Sequence, residues 1–225
     1  MNDPSAPDLD AVKLFPLPGV VLFPRAVLPL HIFEHRYRKM MADALLGDRH
    51  IAMALLQPGW EKAYYGRPAL EPVICVGRIL SHEKLPDEKY NLLLQGVMRA
   101  RIVREVEAGE PYRVAEVQPL EEVPTSESQL HAERERLAAV FMSPAMGAIG
   151  AGQQFRQIVA SDLPTPDVAD LAAFTFVENV GLKQALLAEV DVRRRVGRTA
   201  QALEAFAAAL PQVMSIPSPA DPSMN

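Results

Sequence analysis

From about residue 12 to residue 123 the apolar positions come in short runs broken by proline and glycine; beyond residue 126 they recur three and four apart. The first texture predicts strands and the second predicts helices. Val73–Leu80 reads as a strand, Pro86-Asp87-Glu88-Lys89 as a turn and Tyr90–Val97 as the returning strand. Arg99–Arg104 alternates as a half-buried strand does, and Gly109-Glu110-Pro111 turns the chain towards a further strand, Tyr112–Val117. This is a meander, and closing such a sheet on itself hides its edges. One helix interrupts the stretch: Glu34–Leu46 sets Tyr37, Met40, Met41, Ala44 and Leu45 at helical spacing, with Gly47 as the stop.

In the second texture, Ser126–Phe141 carries Leu130, Leu137, Val140 and Phe141 on one stripe. Thr165-Pro166-Asp167 is a helix start, with a capping residue, a proline at the first position and an acid in the first turn. Val168, Leu171, Ala172 and Phe176 follow as its apolar face, and Leu182–Leu187 and Val192–Leu210 complete a helical bundle. Ser143–Gly152 has no clear period and reads as irregular. The expectation is an α+β protein: a β-rich domain over residues 12–123, a helical bundle over 124–210, and flexible, proline-containing tails at 1–11 and 211–225.

Composition narrows the function classes. The chain has 225 residues, 49% of them hydrophobic and 23% charged, enough to bury a core, and a net charge of −5. That charge gives no general attraction for nucleic acid or an anionic membrane. Met1-Asn2-Asp3-Pro4-Ser5 does not read as a signal peptide, and no apolar run approaches the roughly 20 residues of a membrane span. The single cysteine, Cys75, fits a reducing compartment, so the expected location is the cytoplasm. Set among Val73, Ile74 and Val76, that cysteine reads as a small buried hydrophobe. No serine stands in a G-x-S-x-G elbow.

The segment Leu14-Phe15-Pro16-Leu17-Pro18-Gly19-Val20-Val21-Leu22-Phe23-Pro24, followed by Leu28-Pro29-Leu30-His31-Ile32-Phe33-Glu34, combines four prolines with β-branched and aromatic residues. The prolines deny a helix and limit the strands to short pieces. An extended strand, a turn and a second short strand then lead into a helix at Glu34, whose carboxylate suits a helix N-terminus; Phe33 is expected beneath the barrel. The run resembles the opening signature of the Lon protease N-terminal domain family (F-P-L-P, V-V-L-F-P, L-P-L-H-I-F-E, R-Y), with Arg36-Tyr37 as its last element. The resemblance continues through Val76–Ile79, Tyr90–Gly96, Arg99–Ile102 and Tyr112–Val117. It implies a PUA-like β domain with an appended helical bundle, used to recognise polypeptides. The expectation is a stand-alone, non-catalytic module without the ATPase and protease parts, and with no cofactor. No glycine here is followed by lysine, so the phosphate loop G-x-x-x-x-G-K-[ST] does not occur. The expected partners are proteins or unfolded polypeptide segments, with no membrane and no nucleic acid; homo-oligomerisation stays open.

Other constellations carry alternatives. His31-Ile32-Phe33-Glu34-His35 spells H-x-x-E-H, the signature of a zinc-dependent hydrolase with Glu34 as base. A strand-to-helix corner at Glu34 instead points the two histidines apart. Arg193, Arg194, Arg195 and Arg198 form a basic group, read as a solvated helix face, with an acidic partner segment as the sharper alternative and RNA as a third, which would make the chain a PUA-like RNA-binding module. Large aromatics outside any strand or helix pattern occur in the loop from Gln57 to Pro68. Trp60, Tyr64 and Tyr65, with Arg67 at the rim beside Glu61 and Lys62, are the candidate binding residues, the alternative being a lid folded onto the barrel. Met40, Met41 and Met53 read as core filling.

Overall fold

The computed structural model describes residues 6–63 and 66–214. Tyr64, Tyr65 and the outer parts of both tails therefore lie outside the described residues. The β-rich part holds β1 (Val12–Leu17), β2 (Val27–Ile32), α1 (His35–Leu46), β3 (His50–Leu55), β4 (Val73–Lys84), β5 (Tyr90–Val106) and β6 (Arg113–Pro119). They make one mixed sheet in the order β2-β5-β4-β3-β1-β6, and a further β5–β6 pairing closes it. Five strands thus form a barrel, while β2 is a flap on the first half of β5.

Closure depends on the length of β5. Residues Tyr90–Gln95 pair with β2, and Ala100–Val106 pair with β6. The sequence pattern suggested two strands there. A single strand serves because bulges between Val76 and Gly77, between Ile79 and Ser81, and between Ile102 and Arg104 let the ladder bend. The first of these bulges requires glycine on both of its strands, where Gly77 and Gly96 face each other. A Cβ on Gly96 would lie 2.1 Å from the Phe23 carbonyl oxygen, and one on Gly77 would lie 2.8 Å from Leu94 Cγ. Gly96 also exchanges backbone hydrogen bonds with the turn before β2, donating to Ala26 O at 2.9 Å and accepting from Arg25 N at 2.7 Å.

The pattern gave no sign of β3. It is buried along its whole length, between a parallel partner, β1, and an antiparallel one, β4, so it shows no alternation to read. Leu14, Ala52, Ala54, Ile74, Val76, Ala100 and Ala115 fill the barrel interior, the alanines fitting its narrow bore. The opposite faces of the strands pack with Tyr37, Met40 and Met41 of α1, and with Phe23 and Cys75.

The corner before α1 differs from expectation in two ways. Glu34 is the N-cap residue, but its side chain makes no capping hydrogen bond; its carboxylate accepts from Arg36 Nε at 3.0 Å. Phe33 is 60% exposed where burial was expected. The alternation of β2 sends Ile32 into the core, so the next side chain points outward.

A 3-10 turn, Glu127–Leu130, leads into α2 (His131–Met142), α3 (Pro144–Gly147), α4 (Gly150–Ala160), α5 (Thr165–Phe176), α6 (Val180–Ala188) and α7 (Val192–Met214). The stretch expected to be irregular is therefore α3 and the start of α4. Phe141, Phe155 and Phe176 cluster in the bundle core, with ring centroids 4.9–5.4 Å apart, Phe141 stacked on Phe155 and Phe176 edge-on to Phe155. Thr165 opens α5 without capping it. Its hydroxyl and N–H both donate to the Glu127 carboxylate, at 2.6 and 2.9 Å, so the start is satisfied from another segment. From α5 and α6, Ala173, Val177, Leu186 and Leu187 pack into the barrel's outer core. Among the described residues no helix is long and apolar enough to cross a membrane.

Candidate functional site

Trp60 opens a 3-10 turn, Trp60–Ala63, that follows β3. The turn stands on a tied base, because Gln57 N donates to Ala69 O at 2.9 Å and Glu71 N donates to Leu55 O at 2.8 Å. Gly59, with φ +87°, takes the left-handed conformation just before Trp60, at the start of the turn. Across from it lies α6, started by Asn179, whose side chain accepts from Leu182 N at 2.8 Å. Between the two runs a groove of about 500 Å³, floored by Pro18, Leu55, Leu56 and Val73 and walled by Trp60 on one side and Val180, Gly181, Ala185 and Ala188 on the other. Glu71 is the one charged side chain lining it among the described residues. Apolar walls with few polar groups are what a binding cleft needs.

The expected binding residues do not all meet here. Trp60 is half-buried in the groove wall, and Tyr64 and Tyr65 fall outside the described residues. Arg67 lines a different cavity, of about 510 Å³, beside Glu34, Arg36, Tyr37 and Arg113. That cavity is polar and internally paired. Arg113 donates to Pro68 O at 2.7 Å and to Glu105 at 2.9 Å, holding the Glu105 carboxyl below its usual range. Arg67 stands 4.0 Å from the same carboxylate. Glu61 and Lys62 are exposed at the turn.

The H-x-x-E-H residues are separated by the corner. His31 lies on β2 with Nδ1 2.8 Å from Asn91 Oδ1, whereas His35 is the first residue of α1 and lines the Arg67 cavity. Among the described residues no three His, Cys, Asp or Glu side chains converge as a metal site would. Cys75 is fully buried, and burial pushes its thiol up to about 12, which keeps it protonated at neutral pH.

The α6 wall went unnoticed in the sequence, although a signal is present. Gly181, Ala185 and Ala188 put small residues at i, i+4 and i+7, one face of a helix left open for a close neighbour. Behind α6 lies a second feature that the sequence hid. Arg195, expected on a solvated face, is 1% exposed, while Arg193, Arg194 and Arg198 do reach solvent. With Arg99 of β5 it forms a buried network. Arg99 Nη2 is 2.6 Å from Asp170 Oδ1, and Arg99 Nη1 is 3.2 Å from Glu122 Oε1. Arg195 reaches the same two carboxylates at 3.3 and 2.9 Å. Two guanidiniums against two carboxylates leave no net charge to bury.

Comparisons with known proteins agree with this architecture. The family model described as the ATP-dependent protease La (LON) substrate-binding domain matches residues 11–205. The Lon protease of Desulfosudis oleivorans is 26% identical over 200 residues, covering 86% of this chain and 24% of that protein. Lon protease 2 of Sorangium cellulosum is 28% identical over 200 residues, with the same two coverages. The chain thus spans about a quarter of the length of these curated relatives. Among solved structures, the N-terminal domain of Mycobacterium avium complex Lon protease has a TM-score of 0.67 at 16% identity, covering 88% of this chain and 98% of that one. The Lon N-terminal domain protein from Xanthomonas campestris has a TM-score of 0.60 at 25% identity, covering 89% and 99%.

Proposed function

The chain belongs to the family of Lon substrate-binding domains, and from that premise we propose that it binds extended or unfolded polypeptide, without turnover, in the groove between the Trp60 turn and α6. One observation carries the assignment to this groove. It is the cavity whose walls are a large aromatic, prolines and small aliphatic residues, with a single carboxylate at its margin. An unfolded segment offers apolar side chains to such walls. The Glu71 carboxylate suits a backbone N–H or a basic side chain and repels phosphate, which argues against RNA here. Trp60 offers a large, rigid area at low entropic cost. An apolar groove without a rigid partner supports dissociation constants in the micromolar range.

Trp60 is the sole tryptophan, so its emission reports on the groove directly. Titration with reduced, carboxymethylated α-lactalbumin, whose own tryptophans are replaced by phenylalanine, should shift that emission to the blue. Trp60→Ala and Val180→Arg should each weaken binding about tenfold, as expected for loss of a central anchor. Fluorescence anisotropy of a labelled probe measures both variants. Binding at parental affinity in both, with the fold intact by circular dichroism, would place the site elsewhere.

A further inference from the structure

The groove has one wall built on the barrel and one built on α6, and α6 is a helix of nine residues, Val180–Ala188. So short a helix has little stability of its own, and its place is set by what holds it. Two tethers come from neighbouring residues of the sheet. Gln184, itself buried, donates from Nε2 to Val73 O of β4 at 2.8 Å. Arg99 donates from Nε to Leu187 O at 3.0 Å. Arg99 is the register partner of Cys75, two residues along β4 from Val73, so both tethers leave one patch of sheet and meet α6 within a single turn. Arg195 adds a third bond beyond the helix end, to Glu189 O at 2.9 Å. Buried cations thus satisfy Leu187 O near the end of α6 and Glu189 O just past it, where the helix dipole favours positive charge.

Arg99 does more than cap. The same guanidinium reaches Asp170 on α5 and Glu122 in the segment after β6, so one planar group sets barrel, α5 and α6 against each other. It does not line the groove. We propose that Arg99 is the positioning residue of the polypeptide groove: by holding the C-terminal end of α6 against β5, it fixes the wall that Val180, Gly181 and Ala185 present to the ligand. This rests on the docking site proposed above. Lysine cannot take over the role, because a single ammonium lacks the fork that reaches the Leu187 carbonyl and two carboxylates together. With the tether lost, α6 spends part of its time unseated, and apparent affinity falls with the seated fraction.

The test compares the parent chain with Arg99→Lys, Arg99→Met and Leu137→Ala, the last a cavity in the bundle core remote from α6. Amide hydrogen exchange over residues 182–188 is read without ligand, and binding of reduced, carboxymethylated α-lactalbumin is read separately. Arg99→Lys should speed exchange in α6 about tenfold and weaken binding about tenfold, with exchange in β1 and β3 unchanged. Leu137→Ala should lower the melting temperature but leave α6 exchange and affinity at parental values. Arg99→Met should exceed Arg99→Lys in both readouts; if it does not fold, Arg99→Lys, which keeps a cation beside Asp170, decides alone. Parental α6 exchange in Arg99→Lys overturns the proposal. So does faster exchange with unchanged affinity, or an equal loss of binding in Leu137→Ala. Trp60→Ala binding at parental affinity would instead overturn the docking site, a failure seen in a different variant from those that test Arg99.

Discussion

The barrel and the helical bundle end their elements by different means. In the barrel the chain turns where its own local sequence allows. Gly19, Gly59 and Gly109 hold φ between +69° and +87°, and Gly96 admits the Phe23 carbonyl into the ladder. In the bundle, α2, α4, α5 and α6 end on Ser143, Ser161, Val177 and Glu189, with no glycine cap. Their last carbonyls are taken by cations from elsewhere. Arg156 donates to Phe141 O at 2.9 Å, Lys183 to Phe174 O at 2.8 Å and Arg99 to Leu187 O at 3.0 Å. Arg134 alone donates to Val159, Ser161 and Leu163, at 2.7–3.1 Å. A helix end needs its orphan carbonyls satisfied, and a guanidinium from another helix does so as well as a local glycine turn. The second device also ties two elements together, which the first cannot do.

If this contrast is right, the barrel should fail at a backbone and the bundle at a side chain. The largest effect is expected from Gly96→Ala. Its Cβ would meet a backbone carbonyl that cannot move without opening the turn before β2, so the loss should be about 3 kcal/mol in urea melts. A loss below a third of that would mean that the β2 flap shifts freely and is not held against β5 by the turn at Gly96. Next comes Arg134→Met, which strips three carbonyls at the end of α4 of one donor and should cost about 2 kcal/mol. Arg134→Lys should recover less than half of it, since one ammonium cannot span three acceptors. Full recovery by lysine would show that charge near the helix end matters and that the shared donor does not.

The same contrast explains what could be read from the sequence. The meander of β4, β5 and β6, helix α1 and the two-texture division were legible because period and turn residues are local properties. Val73–Leu80 falls within β4, and Tyr112–Val117 overlaps β6 from Arg113 onward, for that reason. Strand β3 was not legible, because burial on both faces removes alternation. Helix α4 was masked by Gly150 and Gly152 in its first turn, and its terminator, Arg134, lies 25 residues before the carbonyl it caps. At the candidate site, Trp60 stood out as an aromatic in a loop. The α6 wall and the Arg99–Asp170 pair, 71 residues apart, follow only from the fold. Arg195 shows the limit most plainly. Three successive arginines look alike in sequence, yet the 3.6-residue period turns one of them into the bundle and leaves its neighbours in solvent.

The smallest effects belong to the corner between β2 and α1, where local sequence signals promise most and the structure asks for least. A Phe-Glu pair at a helix start suggests a buried ring and a capping carboxylate, and Phe→Ala in a core costs 3–5 kcal/mol. Here Phe33 is 60% exposed, with its ring stacked at 6.2 Å on the exposed His31, so truncation removes little that was withdrawn from water. Phe33→Ala should therefore cost about 0.5 kcal/mol or less in urea melts. Glu34 makes no capping bond, and its ion pair with Arg36 is part-exposed, so Glu34→Ala should cost no more than Phe33→Ala. Ile32, 1% exposed and adjacent, is the internal standard: Ile32→Ala should cost about 3 kcal/mol. Equal losses at residues 32 and 33 would mean that the ring is covered in solution, by the flap or by a partner. The alternation of β2 would then no longer account for the corner.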